Sequence, residues 1–101
     1  MGAGYVGIVS IDLHLPDAGS LKEKRKDVLS LKADLQRRFA AAVAEVDYHD
    51  LWQRSLLTAS LVDRRARDVE SRLDDVERYV LARHETASVR HHLILSPEEI
   101  A

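Results

Sequence analysis

Lys22, Lys24, Arg25 and Lys26 follow Ser20-Leu21 at the start of a helical run, with Glu23 the only acid among them. The N-terminus of a helix carries partial positive charge, so each exposed cation there is unfavourable by roughly 0.3 to 1 kcal/mol. First-turn amides, the dipole and nearby Lys or Arg together make an arrangement that binds phosphate or another anion. A second helical run opens in the same way, with Arg64, Arg65 and Arg67. Against an anion site stand Glu23, Asp27, Asp63 and Asp68, which can neutralise these cations as ordinary surface pairs.

Other chemistry is weaker. Trp52, Arg54 and Leu56 alternate along one strand-like run, where RNA-recognition folds carry stacking aromatics. The first strand offers Ser10, Asp12 and His14 on the matching face, with no aromatic among them. The same face could therefore pack against a second copy. Asp12 with His14, and Glu45 with Asp47, suggest a metal site. The expected strand order puts two interstrand spacings, about 9 to 10 Å, between those pairs, too far for one coordination sphere. His91 and His92 are adjacent on a strand and face opposite sides. Ser10, Ser55, Ser60 and Ser88 lack the sharp turn of an activated nucleophile, and no acid pair sits in a defined pocket. Gly2-Ala3-Gly4-Tyr5-Val6-Gly7 has the spacing of a dinucleotide fingerprint, but it leads into a strand, with neither strand before nor helix after it. The reading is of a protein that is not an enzyme and has no cofactor or metal.

The elements that must position these residues follow from periodicity. Val9, Ile11, Leu13 and Leu15 alternate with polar residues, which predicts a half-buried strand. Pro16-Asp17-Ala18-Gly19 ends it, and Ser20 with Glu23 forms a capping box. Leu21, Val28, Leu31 and Leu35 then keep helical spacing, with Lys24 or Arg25 at the missing apolar position, its stem on the core edge. Ala42–Val46 and Trp52–Val62 predict a hairpin across Asp47-Tyr48-His49-Asp50. With Asp63 as N-cap, Ala66, Val69, Leu73, Val76 and Val80 predict a second helix. Ser88–Leu95 is a last strand, and residues 95–101 form a turn and loose tail.

This order predicts an α+β ferredoxin-like split βαβ sandwich, two helices on one face of a four-stranded sheet, as a single domain over residues 1–101. The first and third strands are expected to be parallel central neighbours and both helices to run in one direction. On that geometry the seven helix-start cations converge on one edge.

Composition bounds the function. The 101 residues include no cysteine, which removes disulfides and thiol chemistry and fits a reducing compartment, hence the cytoplasm. The formal charge of −2 makes whole-molecule attraction to nucleic acid or anionic lipid unexpected, so an anion site must be local. Residues 20–38 do carry seven Lys or Arg against three acids. No stretch spans a bilayer, and the first apolar run lacks the lead-in and cleavage site of a signal peptide.

Two segments, Ser20-Leu21-Lys22-Glu23-Lys24-Arg25 and Ala44-Glu45-Val46-Asp47-Tyr48-His49-Asp50-Leu51-Trp52-Gln53-Arg54, resemble the YlxP-like family of small bacterial proteins of unknown function. Tyr48-His49 departs from the His-Gln more usual there. The resemblance implies a ferredoxin-like fold, a bacterial cytosolic setting and genes beside those for translation, but no reaction. The expectation is a domain that binds an anionic partner, RNA or a ribosomal particle, through Lys22, Lys24, Arg25, Lys26, Arg64, Arg65 and Arg67. The alternative is a homodimeric interaction module using the open sheet face or a strand edge, with Trp52, Arg54 and Leu56 at the contact.

Overall fold

The computed structural model describes residues 2–100, with the backbone alone for His91, His92 and Ile100; the His91-His92 pair therefore lies outside the described side chains. Its elements are β1 (Tyr5–His14), α1 (Leu21–Phe39), β2 (Ala42–Asp47), β3 (Arg54–Asp63), α2 (Ala66–Arg83), β4 (Ser88–Leu95) and a single-turn α3 (Pro97–Ile100). The four strands form one sheet in the order β2-β3-β1-β4, and β1 runs antiparallel to both β3 and β4. The architecture is the expected ferredoxin-like α+β sandwich.

Period-2 alternation builds the core. Val9, Ile11 and Leu13 of β1 and Leu57, Ala59 and Leu61 of β3 are buried on the side that meets Val28, Leu31 and Leu35 of α1 and Val69, Leu73, Val76 and Val80 of α2. Each Val, Leu or Ile among them contributes roughly 1.5–3 kcal/mol on burial. Gly7 lets α2 settle onto β1: a Cβ there would lie 2.5 Å from Val69 Cγ1 and 2.9 Å from Leu73 Cδ1. Gly7 thus serves packing, and Gly4 takes a positive φ of 85° just before β1.

Several boundaries differ from expectation. The capping box forms as read, with Glu23 N donating to Ser20 Oγ at 3.1 Å and Gly19 N to Glu23 Oε2 at 2.6 Å. Asp63 is not the cap of α2. It stays in β3, paired with Tyr5, and Arg65 occupies the N-cap without a side-chain cap bond. Trp52 precedes β3 rather than lying in it. Within the tail, Pro97–Ile100 form a helical turn, and Ala3 N donates to Glu98 at 3.1 Å.

The larger correction concerns direction. A crossover through α1 returns β2 parallel to β1, and the β2–β3 hairpin then reverses the chain, so β3 is antiparallel to β1 and α2 starts at the opposite end from α1. The β1–β3 register records this, pairing His14 with Arg54 at one end and Tyr5 with Asp63 at the other. Contacts between the helices agree. Asp34 of α1 meets Tyr79 and Arg83 of α2, whereas Phe39 O accepts from Arg72, so residue numbers rise along one helix as they fall along the other. Lys22–Lys26 and Arg64–Arg67 therefore lie at opposite ends of a ten-residue strand, about 30 Å apart. The seven-cation edge does not exist.

Gly7→Ala should lower stability by about 1–3 kcal/mol, because the added methyl must displace the stiff Val69 side chain. Urea unfolding of the two proteins measures the difference, and an unchanged midpoint would contradict this packing.

Candidate functional site

Both segments that carry the family resemblance meet at the His14 end of the sheet, where α1 begins and the β2–β3 loop turns. The link between them is Lys24. Its spacing from Leu21 and Val28 places it on the apolar stripe of α1, and it is only 1% exposed. The stem crosses the core edge and the ammonium emerges beneath the loop. Nζ lies 2.5 Å from Tyr48 O, 3.3 Å from His49 O and 3.2 Å from Glu45 Oε2. An ammonium has three donors, and these partners occupy all of them. Lys24 is therefore unavailable to an external anion, although the sequence reading placed it among the anion ligands.

The loop conformation explains why such an anchor is needed. Tyr48 adopts φ 64°, a left-handed backbone unusual for a bulky residue. Its carbonyl accepts from Lys24 Nζ and, at 3.1 Å, from Leu51 N, which closes the turn. Glu45 completes the network. Its Oε2 also accepts from Ser55 Oγ at 2.5 Å, and its carbonyl oxygen lies 3.1 Å from His49 Nε2. Ser55 is fully buried, which removes it as a nucleophile. Burial raises the Glu45 pKa, but the Ser55 hydroxyl and the Lys24 ammonium outweigh this and hold the carboxyl below its ordinary value.

The second half of the loop is tied to the β1–α1 connection. Gln53 Nε2 donates to Pro16 O at 3.1 Å and Ala18 O at 3.2 Å, while Gln53 O accepts from Leu15 N at 2.9 Å. Arg54 forms a bidentate pair with Asp12 at 3.2 and 2.9 Å, and its guanidinium carbon sits 4.4 Å from the centroid of the Tyr48 ring. Asp12 is 2% exposed on the open sheet face, with Arg90 and His14 also near it. The Arg54 hydrogen bonds hold the Asp12 carboxyl below its usual range, against the opposing effect of burial.

Asp12 and Glu45, which the sequence predicts to be too far apart to share a metal ion, turn to opposite faces of the sheet. By register, Asp12 shares the open face with Leu56, whereas Glu45 pairs with core-facing Leu57. Each is instead the counter-ion of a cation in another segment. Among the described residues, no cluster of three or more His, Cys, Asp or Glu could hold a metal ion.

Between these anchors the loop exposes an apolar tip. Leu51 is 48% and Trp52 52% exposed, and they border an open depression of about 560 Å³ with Asp50, Gln53 and Arg54. A smaller cleft of about 250 Å³, lined by Arg25, Leu29, Lys32 and His49, lies between α1 and the loop. Lys22, Arg25 and Lys26 remain exposed at this end, but so do Asp17, Glu23, Asp27, Asp47 and Asp50. At the far end, Arg65 is paired with Asp68, and Arg64 and Arg67 are exposed. The structure thus keeps Trp52 at the same end as Lys22, Arg25 and Lys26 and separates it from Arg64, Arg65 and Arg67. Sequence reasoning missed Tyr48, Leu51 and Gln53. Gln53 follows no periodicity, and the only hint of Tyr48's role is a four-residue loop without glycine.

The comparisons with known proteins assign no reaction either. The chain belongs to the family described as protein of unknown function, DUF503, whose profile matches residues 6–92. It is similar to the uncharacterized protein YlxP of Bacillus subtilis strain 168, at 29% identity over 75 residues, covering 74% of this chain and 82% of the relative.

Lys24→Met should destabilise the fold by about 3–5 kcal/mol, since it leaves Glu45 without its counter-ion. Lys24→Met/Glu45→Gln should recover part of that loss in urea titrations. A single variant as stable as the parent would show that the pair does not hold the loop.

Stability should also fall in acid. Asp12 and Glu45 titrate below their ordinary values of 3.8 and 4.5, so the unfolded chain takes up protons first. The stabilisation is present above those ordinary values and is lost as pH falls through the lower folded-state values. Asp12→Asn should flatten the decline of urea midpoints below about pH 4, and an unaltered slope would contradict the assignment.

Proposed function

We propose that this protein is a non-enzymatic cytoplasmic binding module whose contact point is the Leu51-Trp52 tip, and that its partner is a protein surface. The observation that carries this reading is the exposure of both side chains on a loop held rigid by Lys24, Gln53 and Arg54. Binding hot spots are enriched in Trp, Tyr and Arg, and a preorganised loop loses little further entropy on association. The mixed charge around the tip suits the polar rim of a protein interface.

The anionic-partner reading keeps one supporting observation. Lys22, Arg25 and Lys26 are exposed at the same end as Trp52, so a single strand of RNA could pair its phosphates with them and stack a base on the indole. The five exposed carboxylates among those same segments weigh against it. Lys24 cannot contribute, and Arg64, Arg65 and Arg67 would act separately from the opposite end. A ribosomal particle, which presents both protein and RNA, is compatible with either reading.

Affinity capture from bacterial lysate, with and without nuclease, separates the two. Trp52→Ala should weaken retention of the captured partner by about 30-fold, the scale of a 2 kcal/mol hot spot. Nuclease and the charge reversal K22E/R25E/K26E should leave it unchanged. Retention that survives Trp52→Ala overturns the tip as contact. Retention abolished by nuclease and by charge reversal, with steep salt dependence, transfers the assignment to RNA.

A further inference from the structure

β2 is an edge strand, so every second residue turns its N–H and C=O away from β3. Sheet edges are commonly guarded by Lys, Pro or a bulge. Ala42–Asp47 holds neither Lys nor Pro, and its bulge lies between Glu45 and Asp47, which leaves Ala42, Val43 and Ala44 open to pairing. The cleft of about 250 Å³ lies where α1 faces this strand, with Val28 as its floor and Leu29, 62% exposed, at its rim. Helical pitch sorts the charges of α1. Arg25 and Lys32 line the cleft on either side of Leu29, whereas Asp34 meets Tyr79 and Arg83 of α2 on the other flank, where Glu23 and Asp27 also fall. Among the described residues, neither Arg25 nor Lys32 forms an ion pair. Glu45, the acid in the cleft, is already paired with Lys24, and Asp47 is in register with Leu56 on the open sheet face.

We infer that the β2 edge takes up an extended acidic segment of a partner protein as a fifth strand, seated between β2 and α1. Backbone pairing with β2 supplies the contact, and alternate side chains of the added strand reach the α1 flank. Arg25 and Lys32 are about 10 Å apart along the helix, with Leu29 between them, against roughly 13 Å for four residues of strand. The pattern that fits is acid, any residue, aliphatic, any residue, acid. Charge selects this occupant over the others. A second copy adding its own β2 about a two-fold axis would set Arg25 and Lys32 against the same cations. RNA has no strand backbone to pair with Ala42, Val43 and Ala44, and Leu29 gives a base no aromatic ring to stack on. The site is separate from the tip, since neither Leu51 nor Trp52 lines the cleft.

Fluorescence polarisation tests it with a fluorescein-labelled seven-residue peptide that has Asp at its second and sixth positions, Val at the fourth and Thr elsewhere. The parent chain should bind this peptide saturably. R25E/K32E, which breaks no ion pair, should keep the parental melting temperature and weaken binding about 10-fold. Two further peptides, N-methylated at the odd or at the even positions, read the edge pairing apart from charge. The set whose methyl groups face β2 should not bind, and the other should bind as the unmethylated peptide does. Trp52→Ala should leave binding unchanged. Absence of saturable binding, an unchanged constant for R25E/K32E, or equal effects of the two methylated peptides overturns the inference. Loss of binding in Trp52→Ala overturns it too, and would place the peptide on the tip. Displacement of the peptide by an equal concentration of single-stranded RNA would give the cleft to nucleic acid instead.

Discussion

The position of the β2–β3 loop at the His14 end of the sheet depends on one buried ammonium. Lys24 reaches from α1 through the core edge to Tyr48, His49 and Glu45, and so couples a helix to a hairpin remote in sequence. Such a pair is not needed for stability as such, because apolar residues of similar volume often serve as well or better. What it provides here is direction. Two carbonyls and a carboxylate satisfied at once define a single loop conformation, including the left-handed Tyr48 that an unanchored chain would avoid.

Around that anchor, residues of the α1 start and of the β2–β3 loop are internal supports. Ser20 and Glu23 start the helix, Lys24 and Glu45 hold the loop from below, Gln53 ties it to Pro16 and Ala18, and Arg54 joins Asp12 to the Tyr48 ring. Their polar groups are bonded within the chain. Leu51 and Trp52 are left exposed on the same segment, as is Val46 before the turn. The helix-start cations have divided roles, with Lys24 internal and Lys22, Arg25 and Lys26 exposed among carboxylates.

The open sheet face differs from the tip in kind. It is broad, aliphatic and built on strands, whereas the tip is small, aromatic and built on a loop. β1 separates the two by nearly the full length of the sheet.

Much of this was legible in the residues themselves. Alternation in Val9–Leu15, the three- and four-residue spacing of Val69 to Val80, and the Ser20–Glu23 pair are local signals, since they depend on pleat, helical pitch and first-turn amides. They determined the elements, their order and hence the fold class. The direction of α2 was also implicit, in the reversal at the β2–β3 hairpin, and the expectation of parallel central strands overlooked it. Only the tertiary structure decided that Lys24 rather than Arg25 fills the apolar stripe, that Asp12 and Glu45 face opposite ways, and that Trp52 leaves the strand. Each of these turns on partners supplied from distant segments. A charged side chain is buried or exposed according to whether the rest of the chain brings it a counter-ion, and no local spacing carries that information.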